Sequence, residues 1–117
     1  MSTRIDLGRR GEDAAARLYR DLGYDIIARN SRLPGGELDL VVRRGSEIVF
    51  CEVKTRSTDR FGAPSEAVNY VKRARIRRLA AAWLADNRMW GHELRFDVVS
   101  VLVTGSGLTV THLENAF

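Results

Sequence analysis

Two acidic residues and one lysine, Asp39, Glu52 and Lys54, are spaced as a group that could bind a cation and act on a phosphate. They lie within residues 36–56, which read as two strands because polar and apolar side chains alternate with period two. A Gly-Ser dipeptide at positions 45 and 46 predicts a two-residue hairpin turn, since glycine readily adopts the positive φ of such turns. The register of that hairpin predicts that Asp39 lies directly across from Glu52.

Two carboxylates placed opposite each other on a sheet would repel, because opposed Cβ atoms are only about 4.5 to 5.5 Å apart. A divalent cation would resolve this conflict, and Mg²⁺ commonly takes one or two carboxylates at about 2.0 to 2.1 Å. Lys54 follows Glu52 by one strand repeat, roughly 6.6 to 6.8 Å, which places its ammonium within reach of a phosphate oxygen. The pattern therefore predicts a phosphodiester-cleaving site.

A simpler interpretation of the same residues stays open. Glu37 could pair with Lys54 on a solvated strand edge, and Asp39 would then be merely exposed. An exposed ion pair of this kind contributes only about 0 to 1 kcal/mol. For an isolated strand pair this interpretation is the favoured one.

The elements that must position these residues are predicted as helix, three strands, helix and two strands, an α/β fold with about five strands. The first helix is expected from Gly8 to Leu22, with Gly23 as its stop, and a strand follows at residues 24–30. Residues 34–36 form a turn into the hairpin. The hairpin face turned away from the acids is predicted to be buried. Its members are Leu38, Leu40, Val42, Val49, Cys51 and Val53.

A second long helix is predicted after residue 64, with Ser65 as its cap. Its apolar positions recur at helical spacing: Val68, Ile76, Leu79, Ala80, Trp83 and Leu84. Five of the seven residues from Lys72 to Arg78 are basic, so this helix could contact phosphates without reading bases. The alternative is a solvated face whose arginine stems cover the core. Residues 94–103 and 108–113 predict the last two strands.

Composition is consistent with a domain that handles nucleic acid. The 117 residues predict one domain, 1–117, and the 19 Lys plus Arg against 15 Asp plus Glu give a net charge of +4, which favours polyanionic partners. The single Cys51 excludes an intrachain disulfide framework. No stretch approaches the roughly 20 apolar residues of a membrane span, the first residues lack an apolar signal core, and no phosphate-loop motif indicates a nucleotide cofactor. A cytoplasmic protein without membrane contact is the expectation.

The chain resembles the YraN-like family of small bacterial predicted endonucleases, within the PD-(D/E)xK nuclease superfamily. The likeness extends through the helix near residue 87. The motifs that carry it are residues 8–16, 23–24, 29–32, 36–40, 49–56 and 61–68. Leu38-Asp39 stands where the superfamily name has Pro-Asp, a departure that does not remove a ligand.

The resemblance implies a restriction endonuclease-like core with a mixed central sheet, close to that of archaeal Holliday-junction resolvases. It implies that Asp39, Glu52 and the Val53 carbonyl hold one or two Mg²⁺ ions, with Mn²⁺ as a substitute. Lys54 would orient the attacking water or stabilise the transition state, and Glu12 would complete the site. Glu12 could equally be an acid that favours a helix N-terminus. The residues expected to contact nucleic acid are Arg9, Arg10, Arg56, Lys72, Arg73 and Arg75.

The function expected from these observations is metal-dependent hydrolysis of DNA phosphodiester bonds, on branched or recombination and repair intermediates. A homodimer is a further expectation, because symmetric cutting of two strands needs two sites. The alternative function is a non-catalytic DNA-binding or adaptor module that keeps the nuclease fold. An RNA-directed nuclease is a third option that the residues do not distinguish.

Overall fold

The protein alternates helices and strands as α-β-β-β-α-β-β, the order predicted from its sequence. The computed structural model describes residues 4–57 and 69–117. The elements are α1 (Arg4–Asp21), β1 (Asp25–Leu33), β2 (Gly36–Arg44), β3 (Glu47–Ser57), α2 (Tyr70–Asp86), β4 (Glu93–Thr104) and β5 (Gly107–Leu113). Neither helix is long and apolar enough to cross a membrane in the described ranges.

One five-stranded mixed sheet forms the centre, with the strands in the order β1-β2-β3-β4-β5. Neighbouring strands are antiparallel except for β3 and β4, which run parallel. A parallel pair needs a crossover connection rather than a tight turn, and the chain between β3 and β4 carries α2. The α/β class and the mixed sheet are confirmed.

The β2–β3 hairpin has the predicted register over its first half. Arg44 pairs with Glu47, and the ladder runs on to Leu40 opposite Cys51. Gly45 at the turn has φ +61°, a conformation that glycine adopts without steric cost. The Gly-Ser turn therefore determined which residues face each other, as predicted.

The two helices cover opposite faces of the sheet. On one face α1 contributes Ala15 and Tyr19 to a cluster with Leu40, Val42, Val49 and Cys51. On the other face α2 contributes Ile76, Leu79, Ala80 and Trp83 to a cluster with Val41, Ile48 and Phe50. The burial predicted for Cys51 and Trp83 is confirmed. Leu38 was expected beside Leu40, which was wrong: it packs in the α2 cluster.

Several element bounds differ from the prediction. The first helix begins at Arg4 rather than Gly8 and ends at Asp21, followed by Gly23 at φ +89°, the expected stop. The first strand continues to Leu33 instead of ending at Asn30. Ser65, the predicted cap of the second helix, lies outside the described residues, and Asn69 caps α2.

A fully buried aspartate, Asp97 on β4, joins α1, β4 and the C-terminal residues. Its carboxylate accepts hydrogen bonds from the hydroxyl of Tyr19 at 2.7 Å, from the Arg95 guanidinium at 2.8 Å and from the main-chain N–H of Asn115 at 2.9 Å. His112 Nε2 lies 2.8 Å from the same carboxylate. Burial alone would raise the pKa of Asp97, but these hydrogen bonds outweigh it and hold the pKa below its ordinary value. The Asp97 carboxylate is therefore ionised and connects α1, β4 and the C-terminal residues.

A glycine allows α1 to approach β3 closely. A Cβ added to Gly11 would lie 1.7 Å from Thr55 Oγ1, well inside van der Waals contact. Gly8, one turn earlier, has no atom within 4 Å of the equivalent position. The Gly11 contact therefore fixes how the following residue, Glu12, is presented to the sheet.

We expect Asp97→Asn to lower the free energy of unfolding by about 1.5 to 3 kcal/mol at pH 7, because the fully buried carboxylate loses its charge-assisted hydrogen bonds with the Arg95 guanidinium. Since the folded pKa of Asp97 is depressed, its stabilisation is complete above the unfolded pKa near 4 and is lost as pH falls below it. Urea denaturation at pH 7 and at pH 3 measures both effects. The control is Asp25→Asn, at an exposed acid on β1. A loss at Asp97 no larger than the control's would contradict the analysis.

Gly11→Ala should destabilise the protein by about 1 to 3 kcal/mol, the usual cost of forcing extra atoms into a filled contact. Gly8→Ala is the matched control in the same helix and should stabilise by about 0.5 to 1 kcal/mol, because alanine favours helix where space is open. Thermal denaturation of both variants tests the contact. Equal stabilisation by the two alanines would show that α1 does not approach β3 this closely.

Candidate metal and nucleic-acid site

The acids lie where β2 and β3 separate. The ladder between these strands ends at Leu40 opposite Cys51. Beyond it β2 stays paired with β1 as far as Gly36, and β3 stays paired with β4 as far as Ser57. The sheet therefore opens into a fork between its second and third strands, bounded by residues 36–39 and 52–57.

The fork corrects part of the predicted hairpin. Asp39 opposite Glu52 and Glu37 opposite Lys54 are not ladder pairs. Glu37 instead pairs with Arg32 on β1, and their side chains form a 3.5 Å ion pair. The predicted ion pair between Glu37 and Lys54, on which the simpler interpretation rested, is therefore replaced by a contact on the other side of β2.

The side chain of Asp39 bridges the fork. Its Oδ2 accepts a 2.9 Å hydrogen bond from the main-chain N–H of Val53 on β3. Burial, the negative charge of nearby Glu52 and the charge of Glu12 together raise the pKa of Asp39 to about 7, against the lowering effect of the Val53 N–H. The three acids thus act on one another electrostatically although the predicted register does not hold. The Val53 N–H therefore does not by itself offset the effects of burial and of the two neighbouring acids on Asp39.

Glu52 is largely buried and has a cationic partner. Only 12% of its side chain is exposed, and Lys72 Nζ lies 3.0 Å from its Oε1. Lys72 occupies the first turn of α2, where its main-chain N–H donates to Oδ1 of the cap residue Asn69 at 2.9 Å. The structure therefore places Lys72 against a candidate metal ligand, whereas the sequence suggested only a phosphate contact.

Lys54 lies one strand repeat beyond Glu52. The pairing of β3 with β4 is regular through Glu52 opposite Val98 and Lys54 opposite Ser100, so the two side chains share one face of the strand. Lys54 is exposed. Its ammonium is available to a molecule that approaches the open end of the fork.

Glu12 reaches the fork from the α1 face, opposite the α2 face that carries Lys72. Its Oε1 accepts a 3.0 Å hydrogen bond from Asn30 Nδ2 on β1. Asn30 has φ +50°, a left-handed conformation that asparagine tolerates better than most residues. This irregularity falls at the position of β1 opposite Asp39, between the pairs Arg29 with Leu40 and Ser31 with Leu38. It coincides with the change of face between Leu38 and Leu40.

The two carboxylates suit Mg²⁺ better than a metal ion whose ligands must all come from the protein. Mg²⁺ commonly binds through one or two carboxylates and keeps several waters, so Asp39 and Glu52 would suffice. Within residues 4–57 and 69–117, no three His, Cys, Asp or Glu side chains gather closely enough to hold an ion together. Glu12 is thus a neighbour of the acid pair and does not form a three-acid ligand group with it. The role predicted for the Val53 carbonyl stays a prediction.

The basic residues expected to bind nucleic acid are distributed unevenly. Arg75 is exposed on α2, and Arg73 and Arg56 are half-buried with other interactions. Arg9 is exposed, whereas Arg10 lines a groove of about 440 Å³ between α1 and β5. Arg10 points away from Glu12, because residues two apart on a helix differ by about 200° in direction.

One arginine of α2 covers the core, as the alternative interpretation of this helix predicted. The guanidinium of Arg77 lies 4.5 Å from the centre of the Phe96 ring, so this side chain covers the core. The basic character of α2 therefore has two parts, a packing part and an exposed part. Arg75 and Arg78 belong to the exposed part.

Two contributors to the site were missed by sequence reasoning. Asn30 was identified only within a motif, and its contact with Glu12 follows from an irregular backbone that alternation does not predict. Lys72 was predicted to contact nucleic acid, but its pairing with Glu52 was not predicted, because it depends on how α2 crosses the sheet. The available signal for the start of α2 was Asn69, because asparagine is one of the preferred residues at helix N-caps.

We expect Asp39→Asn to stabilise the cation-free protein at pH 8 by roughly 1 to 4 kcal/mol, since each unit of pKa difference corresponds to about 1.4 kcal/mol. The amide oxygen can still accept the Val53 N–H. Because the folded pKa is raised, the cost of ionising Asp39 is absent below pH 4 and complete above pH 7, so the gain should shrink on acidification. Urea denaturation in EDTA from pH 4 to 8 measures it. Asp25→Asn should show no such trend, and a destabilised Asp39→Asn at pH 8 would refute the assignment.

Known sequences match along nearly the whole chain. The family model described as "Uncharacterised protein family UPF0102" matches residues 11–101. A UPF0102 protein of Nocardia farcinica is 51% identical over 112 residues, covering 95% of this chain and 88% of the relative. One from Frankia casuarinae is 50% identical over 118 aligned positions, covering 100% of both chains. A third, from Moorella thermoacetica, is 52% identical over 99 residues, covering 85% of this chain and 82% of the relative.

These matches confirm the predicted likeness to the YraN-like family, and placement among the PD-(D/E)xK nucleases stays a prediction. The match begins at Gly11, the residue that fixes α1 against β3, and it spans both strands of the fork and α2. The chain belongs to the uncharacterised protein family UPF0102.

Proposed function

We propose that this protein is a Mg²⁺-dependent endonuclease that hydrolyses DNA phosphodiester bonds at the fork between β2 and β3. The observation that carries the proposal is the pair of neighbouring acids, Asp39 and Glu52, in which burial and the neighbouring charges outweigh the hydrogen bond from the Val53 N–H to Asp39. Asp39 is held beside Glu52 at the separated ends of two strands, with its pKa raised to about 7. Such perturbed carboxylates are common at functional sites, because metal binding and acid–base chemistry use groups whose pKa is matched to the task.

Asp39 and Glu52 are the residues that would hold the ion. When bound, Mg²⁺ lowers the pKa of water and neutralises charge that develops on a phosphate under attack. The Val53 N–H orients Asp39 for this task, since its 2.9 Å hydrogen bond fixes one carboxylate oxygen. The chain therefore supplies two positioned anionic ligands without further rearrangement of its main chain.

Lys54 is the residue proposed to act on the substrate. It follows Glu52 on the same face of β3 and is exposed. An ammonium at this position can hydrogen-bond a phosphate oxygen and stabilise the negative charge that grows on it. Glu12, held by Asn30, could accept a proton or position a water on the opposite side of the fork.

A nucleic-acid backbone is the substrate that the surrounding charges favour, and DNA is the nucleic acid that the family resemblance implies. Arg75 and Arg78 are exposed on α2, the helix whose Lys72 contacts Glu52. Cations arranged along one helix bind the phosphate backbone and carry no base specificity. We therefore expect selectivity for DNA form rather than for sequence. Branched intermediates are the form that the family resemblance suggests.

One observation favours the second candidate, a non-catalytic DNA-binding module. The 3.0 Å ion pair between Lys72 and Glu52 neutralises one of the two proposed ligands within the protein itself. A module that had lost its chemistry could keep such a pair permanently. The two candidates differ in whether the protein cleaves DNA and in whether its DNA affinity changes when Mg²⁺ binds.

Lys54→Ala should lower Mg²⁺-dependent cleavage at least about 100-fold, the usual cost of losing one charge-stabilising donor, while the fold and DNA affinity change little. A panel of branched junction, flap, plain duplex and RNA substrates measures the rate and the preferred form together. Arg43→Ala is the matched control, because Arg43 is an exposed cation on β2 whose Nε bonds the turn carbonyl of Gly45.

Cleavage by Lys54→Ala at the wild-type rate would reject the catalytic assignment. Wild-type protein that binds DNA equally in EDTA and in Mg²⁺ and cleaves no substrate of the panel would favour the binding module instead.

A further inference from the structure

We infer that Lys72 is an internal counter-ion that occupies the place of the metal ion and leaves Glu52 when an ion and a DNA phosphate bind. The inference rests on the proposed function and adds a regulatory element to that site. It makes Lys72 a positioning residue that couples the binding of the cation to the binding of DNA.

The location of Lys72 is the first argument. Its Nζ lies 3.0 Å from Glu52 Oε1, at a carboxylate that is only 12% exposed. A cation at this distance compensates an ionised Glu52 without metal. A divalent ion on the same carboxylate would lie next to the ammonium, and two like charges at that separation repel strongly where water is partly excluded. Each cation therefore weakens the binding of the other to Glu52.

The freedom of the Lys72 side chain is the second argument. Its main chain is fixed, because its N–H is bonded to the Asn69 cap and because Ile76 and Leu79 bury the next turns of α2 against the sheet. Its side chain is 33% exposed, and lysine carries its charge on a flexible four-carbon stem. The ammonium can therefore move away from Glu52 while the helix stays in place.

The destination of the ammonium is the third argument. Arg73 and Arg75 follow on the same helix, and Arg75 is exposed. A DNA backbone lying along α2 would offer a phosphate to the displaced ammonium. The ion would then take Glu52 and the phosphate would take Lys72, so each ligand would assist the other. Such assistance is reciprocal by thermodynamic necessity.

Titration calorimetry with Mn²⁺ in the absence of DNA tests the first half of the inference. Lys72→Met should bind Mn²⁺ about tenfold more tightly than wild type, because no internal cation competes for Glu52. Arg75→Met removes a charge one turn further along the same helix without touching Glu52, and it should bind Mn²⁺ nearly as wild type does. Lys72→Arg should also stay near wild type. Thermal denaturation checks that each variant is folded.

The outcomes separate the inference from the proposed function. Mn²⁺ binding by wild type that Asp39→Asn abolishes, together with equal or weaker binding by Lys72→Met, would leave the metal site standing and overturn the role of Lys72. Absence of Mn²⁺ binding in both wild type and Lys72→Met would overturn the metal site and the inference with it. Binding by Lys72→Met alone would support the inference in its strongest form.

The second half is tested by DNA affinity. In the Lys54→Ala background, which keeps the DNA intact, fluorescence anisotropy gives the ratio of duplex affinities with and without Mn²⁺. That ratio should fall several-fold when Lys72→Met is added, because this variant has no ammonium that the ion could release to bind a DNA phosphate. A ratio that is unchanged by Lys72→Met, or that falls equally with Arg75→Met, would overturn the coupling.

Discussion

The separation of β2 from β3 is the constraint on which the candidate site depends. While two strands pair, their main chains satisfy each other and their side chains point to fixed faces. Where pairing stops, a side chain can satisfy the neighbouring main chain, and Asp39 does so with the N–H of Val53. The same opening admits Glu12 from one face and Lys72 from the other. Continuous pairing would have kept these groups on opposite sides of a closed sheet.

Within residues 4–57 and 69–117, two poorly exposed aspartates have different environments, and the contrast separates a structural carboxylate from a candidate functional one. Asp97 receives hydrogen bonds from a guanidinium, a hydroxyl and a main-chain N–H, and its pKa is lowered. Asp39 has one N–H donor and two acidic neighbours, and its pKa is raised to about 7. A fold that can stabilise one ionised aspartate this well gains nothing in stability from placing the other beside two acids that disfavour its charged form, so the acid pair supports the proposed cation site.

Local signals in the sequence were sufficient for the scaffold. Alternation and the turn at Gly45 predicted the register down to Leu40 opposite Cys51, and Gly23 marked the end of α1. They failed at Asp39, because the β2–β3 ladder ends at Leu40 opposite Cys51 and the side chain of Asp39 bonds the Val53 N–H, a contact that alternation does not predict. Lys72 was read as a surface cation, since only the crossing of α2 over the sheet brings it to Glu52. Asp39 and Glu52 were predicted to lie close together because they would be opposite each other in the strand ladder. They are neighbours, but they are not a ladder pair.

The two helices also limit how a substrate could reach the fork. Gly11 holds α1 tightly against β3 at Thr55, so Glu12 approaches from a face that is already filled by helix packing. On the other face α2 leaves its exposed arginines beside Lys72, and Lys54 is exposed on the strand side that carries Glu52. In the proposed function a phosphate backbone would therefore approach from the α2 side, meeting Lys72 and Lys54 before the acids. An approach from the α1 side would have to displace the contact that positions Glu12. Among the described residues, the exposed cations near the site thus lie on the side from which the proposed polyanion would approach.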